Sequence, residues 1–259
     1  MSSDPDSADP APGFDDADLA LRVDGVSKSY GAVQALDDVS FDLERNAILG
    51  LVGDNGAGKS TLLKILNGFI QSDGGEIYLK GEPVSFENPQ EAFDAGISMT
   101  YQYMALVDNA TVWENFFMGR ELSTAYGPLK TLRKREMIET VNEQLSQYGV
   151  ESLDPTDEVQ NLTGGEKQIL AISRSIASDP EVLMLDEPLT ELSRDDRMSV
   201  VEFVRNLRER ADTSIILVSH DLDIVRDLVD EIMILNKGEK TLSGSPADLS
   251  TNEIVDRMV

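Results

Sequence analysis

The sequence predicts an α/β fold with a mostly parallel sheet, and three observations predict it. Short apolar runs recur at 47–52, 182–185 and 215–218. Runs that brief, without polar alternation, are what a strand buried on both faces requires. The first runs into the stretch Gly53 to Ser60, read GDNGAGKS, and helical spacing follows at once with Leu62, Ile65, Leu66 and Phe69. Finally, 110–177 carries helical periodicity and no strand candidates, so it reads as a helical subdomain inserted into the α/β core.

Composition narrows the class. A chain of 259 residues buries one full core, as a single large domain or a domain with a subdomain. There are no cysteines, which excludes disulfides and thiol chemistry and fits a reducing cytoplasm. The balance of 22 basic against 48 acidic residues gives a net charge of −26. That field repels nucleic acid, and it is a charge pattern that halophilic proteins use, with counterions screening the self-repulsion. No apolar run approaches a membrane span, so work at a membrane requires another chain to supply it. Met1 to Asp18 is Asp-, Ser- and Pro-rich, does not resemble a secretion signal, and is expected to be a disordered acidic tail ahead of one domain over 19–259.

From Leu19 the elements follow in order. Leu19, Leu21 and Val23 alternate, as do Val39, Phe41 and Leu43, so two strands are expected to bracket Ser27 to Leu36. Tyr30 lies inside that bracket, and its ring is of the kind that stacks on a purine. The GDNGAGKS stretch has the P-loop form, Gly, four residues, then Gly-Lys-Ser. Its glycines let successive N–H groups turn inward around phosphate oxygens, Lys59 reaches the β- and γ-phosphates, and the Ser60 hydroxyl is a magnesium ligand. The helix that follows aims its positive end at the same anion.

Beyond it, Ser72 to Gly75 reads as a turn, Glu76 to Leu79 as a strand and Pro89 to Ala95 as a short helix ending at Gly96. Ile97 to Tyr101 is a strand that delivers Gln102 to its carboxyl edge, where ligands of open α/β sheets collect and an amide oxygen can reach a metal or its water. Thr111 to Gly119 and Lys134 to Tyr148 read as helices, with Ser123 to Pro128 irregular between them. Trp113, Phe116 and Phe117 are the expected core of this insertion, with a groove for a partner helix as the lesser reading.

Three later stretches carry chemistry. Leu162 to Gln168 reads LTGGEKQ and opens a helix with Ile169, Ile172 and Ile176 on one face, a second anion-binding end. One chain cannot easily bring both ends to one phosphate, whereas a head-to-tail dimer can, with Thr163, Gly164 and Gly165 of one chain facing the P-loop of the other. Val182 to Leu185 runs into Asp186 and Glu187, the first placed to hold magnesium through water and the second to polarise an attacking water. Ile215 to Val218 ends in Ser219-His220, the one histidine in the chain, which can bond the γ-phosphate and hold that water.

Together Tyr30, GDNGAGKS, Gln102, LTGGE, VLMLDE and Ser219-His220 resemble the nucleotide-binding subunit of ATP-binding cassette (ABC) transporters, over roughly Leu19 to Leu242. The resemblance implies a P-loop ATPase core with a mostly parallel sheet, an antiparallel β subdomain and an inserted helical subdomain. It also implies two cassettes, self-paired or with a homologous chain, closing over two Mg-ATP, with the Gln102 loop reporting to transmembrane permease subunits at the cytoplasmic face of the membrane. In that reading Tyr30, Gly53, Asp54, Asn55, Gly56, Ala57, Gly58, Lys59, Ser60 and Thr61 bind ATP, joined in trans by Thr163, Gly164, Gly165 and Glu166. Ser60, Gln102 and Asp186 serve the metal; Glu187, His220 and Gln102 serve catalysis.

The stretches EPVSFENPQEAFDAGISMTYQ and ALVDNATVWENFFMGRE look more narrowly like those of importers of monosaccharides and other simple sugars, which work with an extracytoplasmic solute-binding protein. Importers of nucleosides or other small solutes share much of the pattern, and a soluble cassette ATPase outside transport is the remaining alternative. Three departures stand out: Thr163 for the usual Ser, Glu166 for the usual Gln, and Ser193 where an Asp usually touches the opposite cassette. The last puts communication between the two sites in question more than hydrolysis.

Overall fold

The computed structural model describes residues 18–100, 105–126 and 129–258. The expected acidic tail, apart from Asp18, lies outside the described residues. The described chain begins with a long hairpin, β1 (Leu19–Tyr30) and β2 (Val33–Glu44), which joins β4 (Gly74–Leu79) and β5 (Glu82–Val84) in an antiparallel sheet of order β2-β1-β4-β5. These strands run further than alternation suggested, through Ser27 to Tyr30 and from Val33 to Leu36, and β4 takes in two glycines read as a turn. Register shifts after Val23, Val26 and Lys28 break the two-residue period, so the pattern fades while the pairing continues.

The second sheet has the order β12-β11-β3-β10-β9-β6, built from β3 (Ile48–Val52), β6 (Ile97–Thr100), β9 (Val182–Asp186), β10 (Ser214–Val218), β11 (Glu231–Asn236) and β12 (Glu239–Gly244). All neighbours are parallel except β12, which closes the edge antiparallel to β11. The central strands are buried on both faces, as their unbroken apolar runs require. Ile48, Val52, Leu183, Leu185, Ile215 and Leu217 face one core; Leu49, Leu51, Val182, Met184, Ile216 and Val218 face the other, which also takes the inner face of the antiparallel sheet.

Against the second core lies α1 (Lys59–Leu66), with Leu62, Leu63, Ile65 and Leu66 buried. Phe69 departs from its expected place on that face and is 62% exposed. The helix stops first: Gly68 takes a left-handed φ of 68°, its N–H donates to the Ile65 carbonyl, and the Phe69 N–H reaches back to Lys64 O at 2.8 Å. That closure turns the chain outward before Phe69. The short helix α2 (Pro89–Ala95) begins on the Asn88 side chain, which accepts from the N–H groups of Gln90 and Glu91, and ends at Gly96 as expected.

The first core receives α3 (Val112–Phe117), α4 (Lys134–Gln147), α5 (Gly164–Ile176), α6 (Arg194–Arg210) and α7 (Leu222–Leu228), with α8 (Thr251–Met258) contributing Ile254. Trp113, Phe116 and Phe117 are buried there, so they are core rather than groove. Buried Asn115 clamps the preceding loop: its Oδ1 accepts from Val107 N–H at 2.7 Å and its amide nitrogen donates to the carbonyls of Val107 and Thr111. The expectation of no strands in this region fails at one place. β7 (Ser123–Tyr126) pairs antiparallel with β8 (Leu129–Leu132). The four-residue runs STAY and LKTL on either side of Gly127-Pro128 are too short to stand out by period, since a hairpin's stability resides in its cross-strand pairs rather than in hydropathy.

Glu231, at the start of β11, carries an unfavourable charge. Its carboxyl is pushed up by burial, with Glu44 and Asp42 adding to the shift against Ser243 and Lys240. A carboxyl whose folded-state pKa lies above its unfolded value costs stability where it is ionised; that cost is complete above the folded-state value, shrinks as pH falls below it and is gone below the unfolded value. Glu231→Gln is therefore expected to raise the melting temperature at pH 7, with the gain closing as the wild type is titrated to acid. Equal melting temperatures for the two proteins at pH 7 would remove Glu231 as a source of strain.

Candidate functional site

The sheet order β3-β10-β9 brings three loops together at the carboxyl ends of adjacent parallel strands. Val218 is level with Leu51 on one side and Asp186 on the other, and the Glu187 N–H donates to Val218 O at 3.0 Å. A cleft of about 510 Å³ opens there, lined by Gly53, Asp54, Asn55, Lys59, Ser60, Asp186, Glu187 and His220, together with Thr190, Val218 and Met258. Three separate stretches that the sequence singled out thus meet on this cleft, with Thr190 and Met258 added to its lining.

Gly58 shows why the phosphate loop needs glycine. Its φ is 111°, and a Cβ there would stand 2.6 Å from the Ala35 carbonyl oxygen. It is also the cap position of α1, which has no side-chain cap and no acidic residue in its first turn. The first N–H groups of that helix therefore remain for an external anion. Lys59 Nζ donates to the carbonyls of Gly53 at 2.5 Å and Asp54 at 3.2 Å, folding back along the loop. Burial holds its ammonium below the usual lysine range, against the pull of Glu187, Asp186 and Asp54.

Across the cleft, burial pushes the Asp186 carboxyl up, and the neighbouring Glu187 charge pushes it further, opposed by Lys59 and Lys64. The Asp186 carboxylate is thus poorly compensated by the protein alone. Among the described residues no three His, Cys, Asp or Glu side chains form a cage. A hydroxyl at Ser60 and one carboxylate at Asp186, on a cleft beside the uncapped start of α1, is the hard-oxygen set suited to magnesium, which takes its other ligands from water and phosphate.

Glu187 has a left-handed φ of 50°, unusual for a side-chain-bearing residue and a form of strain found at functional sites. Its Oε2 accepts from the Thr190 hydroxyl at 3.2 Å and contacts His220 Nδ1 at 2.8 Å. An ionised carboxylate only accepts, so Nδ1 carries the proton and Nε2 is the nitrogen left for a ligand or water. Oε1 is the carboxylate oxygen left for a water. Thr190 and Met258 were not anticipated. A threonine three residues past Glu187 has no distinguishing pattern, and Met258 arrives only because α8 docks beside β11.

The other candidates stand apart. Tyr30 ends β1, 49% exposed, with Lys28 Nζ 5.9 Å from its ring centroid, and it does not line the cleft. Gln102 lies outside the described residues. Thr163 caps α5: its hydroxyl accepts from Glu166 N–H at 3.2 Å while Glu166 Oε2 accepts from Thr163 N–H at 2.9 Å. Glu166 therefore closes a capping box rather than facing outward. None of Thr163, Gly164, Gly165 and Glu166 lines the cleft of its own chain.

Comparison with known proteins follows the same outline. Residues 36–190 match the family described as ABC transporter. The chain is 32% identical to a xylose/arabinose import ATP-binding protein of Sulfolobus acidocaldarius, over 92% of this chain and 93% of that protein. It is 35% identical to a ribose import ATP-binding protein of Caldanaerobacter subterraneus over 92% of this chain, but it spans only 47% of that relative. A solved nucleotide-free ATP-binding cassette from an ABC transporter superposes with a TM-score of 0.79 at 25% identity, covering 93% of this chain and 99% of the other.

Proposed function

The chain belongs to the ABC transporter ATPases, and from that premise we propose that it drives uptake of a simple sugar through partner membrane subunits. ATP hydrolysis is the activity of the family; the solute is the inference. The observation that carries it is the likeness over nearly the full length of both chains to an ATP-binding protein of xylose and arabinose import. The chain spans about half the length of relatives such as the ribose import protein. In the proposed unit this set of motifs pairs with a second copy or a homologous chain.

In the proposed mechanism the adenine stacks on Tyr30 and the phosphates lie along Gly53 to Thr61, held by the N–H groups at the start of α1 and by Lys59. Magnesium, held by Ser60, Asp186 and Gln102 with their waters, would offset charge on the phosphate oxygens. Glu187 Oε1 takes a proton from the water as its oxygen bonds the γ-phosphorus and the bond to the ADP oxygen breaks. Thr190 and His220 hold Glu187 by its other oxygen, which keeps Oε1 aimed at the water, and His220 Nε2 steadies the phosphate side. Thr163, Gly164 and Gly165 of the second chain close over the γ-phosphate, whose three oxygens the P-loop alone leaves partly solvated. Glu166 shapes that end by capping its helix.

Among the described residues no helix is long and apolar enough to cross a membrane. Gentle-detergent recovery of this chain from its own membranes tests the assignment. A permease and a solute-binding protein for sugars are expected to accompany it. Recovery with ribosomal proteins, or with a permease specific for another solute, would overturn the sugar-import reading and leave the ATPase.

A further inference from the structure

Ser193, standing where an Asp is usual, has a local task. It caps α6: its hydroxyl accepts from Asp196 N–H at 3.2 Å and donates to Asp196 Oδ2 at 2.7 Å. The Asp196 carboxylate so held also lies against the start of α5, where the Thr163 hydroxyl and the Gly165 N–H draw its pKa further down. The approach is close enough to need glycine, because a Cβ on Gly165 would lie 2.8 Å from Asp196 Oδ1 and 3.0 Å from its Cα. These bonds, the Ser193 hydroxyl first, keep the Asp196 carboxyl below the usual carboxylate range. A carboxylate thus stands beside donors that, in the paired cassette, the second chain's nucleotide would seek.

The next residue grips the other side. Arg197 Nη1 donates to Asp221 Oδ2 at 3.4 Å, and Asp221 Oδ1 in turn accepts from Ile224 N–H to cap α7. Asp221 follows His220, whose Nδ1 holds Glu187. The 187–193 loop, the first turn of α6 and the His220 loop therefore form a closed ring through Glu187, Ser193, Arg197, Asp221 and His220. The start of α5 is tied to that ring at Asp196.

We propose that Asp196 and Arg197 are positioning residues that link the N-terminus of α5 to the Glu187–His220 pair of the same chain. Nucleotide held by the second chain then sets the catalytic carboxylate of the first. The proposal rests on the composite-site reading above. A phosphate competing for the Thr163 hydroxyl and the Gly165 N–H must share or displace a group of its own sign, which moves the first turn of α6. Because Arg197 lies on that turn, the displacement reaches Asp221 and His220. The linkage supplies the communication that Ser193, lacking a carboxylate, cannot make directly.

The test is a double-mutant cycle on the full chain, with Mg-ATP as the probe, using D196N, R197Q and the pair, and R197K as the conservative partner. Each single variant is expected to lower kcat by about 10-fold and bring the Hill coefficient for ATP toward 1, with KM and nucleotide affinity of the isolated monomer within about twofold. The double variant is expected to fall no further than either single one, and R197K to recover part of the loss. Additive losses, a loss confined to nucleotide affinity, or unchanged turnover in R197Q would overturn the linkage. If D196N does not fold, R197Q against R197K decides by the same kcat and Hill readouts. A wild type without ATP turnover would instead sink the mechanism on which the linkage rests, and the wild-type assay identifies that case before any variant is made.

Discussion

Glu187→Gln is expected to bind ATP within about twofold of the wild type and to turn it over about 100- to 1,000-fold more slowly. The amide has the shape of the carboxylate and keeps an oxygen that accepts from Thr190 and His220, both now held by Oε2 at 3.2 and 2.8 Å. It cannot take the proton that leaves the attacking water. Nucleotide binding should survive because, in the proposed mechanism, the phosphates are held by the P-loop and the start of α1, after a different strand. With hydrolysis blocked, the paired state persists, so size-exclusion in ATP is expected to show a dimer for Glu187→Gln and mostly monomer for the wild type after turnover. Single-turnover hydrolysis at the wild-type rate would remove Glu187 from the proton transfer and leave its left-handed φ of 50° without a catalytic reason.

What the sequence discloses about this site follows from how each part is encoded. The P-loop is legible because its backbone geometry demands glycine at fixed places, and Gly58 with φ 111° against the Ala35 carbonyl is one of them. Asp186, Glu187 and His220 are legible because each lies just past a short apolar run that reads as a buried strand. Parallel strands put their carboxyl ends on one edge. Asp196 was illegible: in a chain with 48 acidic residues, one more carboxylate on a helix carries no signal until the fold lays α6 beside α5. Met258 was hidden for the same reason, being brought to the cleft by the docking of α8. The β7–β8 hairpin and the far ends of β1 and β2 were lost where short polar strands or bulges erase the two-residue period.

Lys59→Met should separate binding from stability. The ammonium is held below its usual pKa range by burial, and its partners in the nucleotide-free protein are the carbonyls of Gly53 and Asp54. A desolvated cation paired with carbonyls contributes little to folding, and methionine fills the same volume without a charge to desolvate. The melting temperature without nucleotide is therefore expected to be unchanged or higher. Binding is another matter, because no other cation lines the cleft among its described residues, and Asp186 and Glu187 would repel the phosphates unopposed. Affinity is expected to fall by at least about 100-fold. At a nucleotide concentration 100 times the wild-type Kd, binding stabilises the wild type by about 2.7 kcal/mol, a rise of roughly 5–10 °C for a chain of this size. That rise should shrink to about 1 °C in Lys59→Met. A variant that kept the full nucleotide-dependent shift would show the phosphates to be held by the loop's N–H groups alone. Lys59 would then be a partner of the two carboxylates rather than of the ligand.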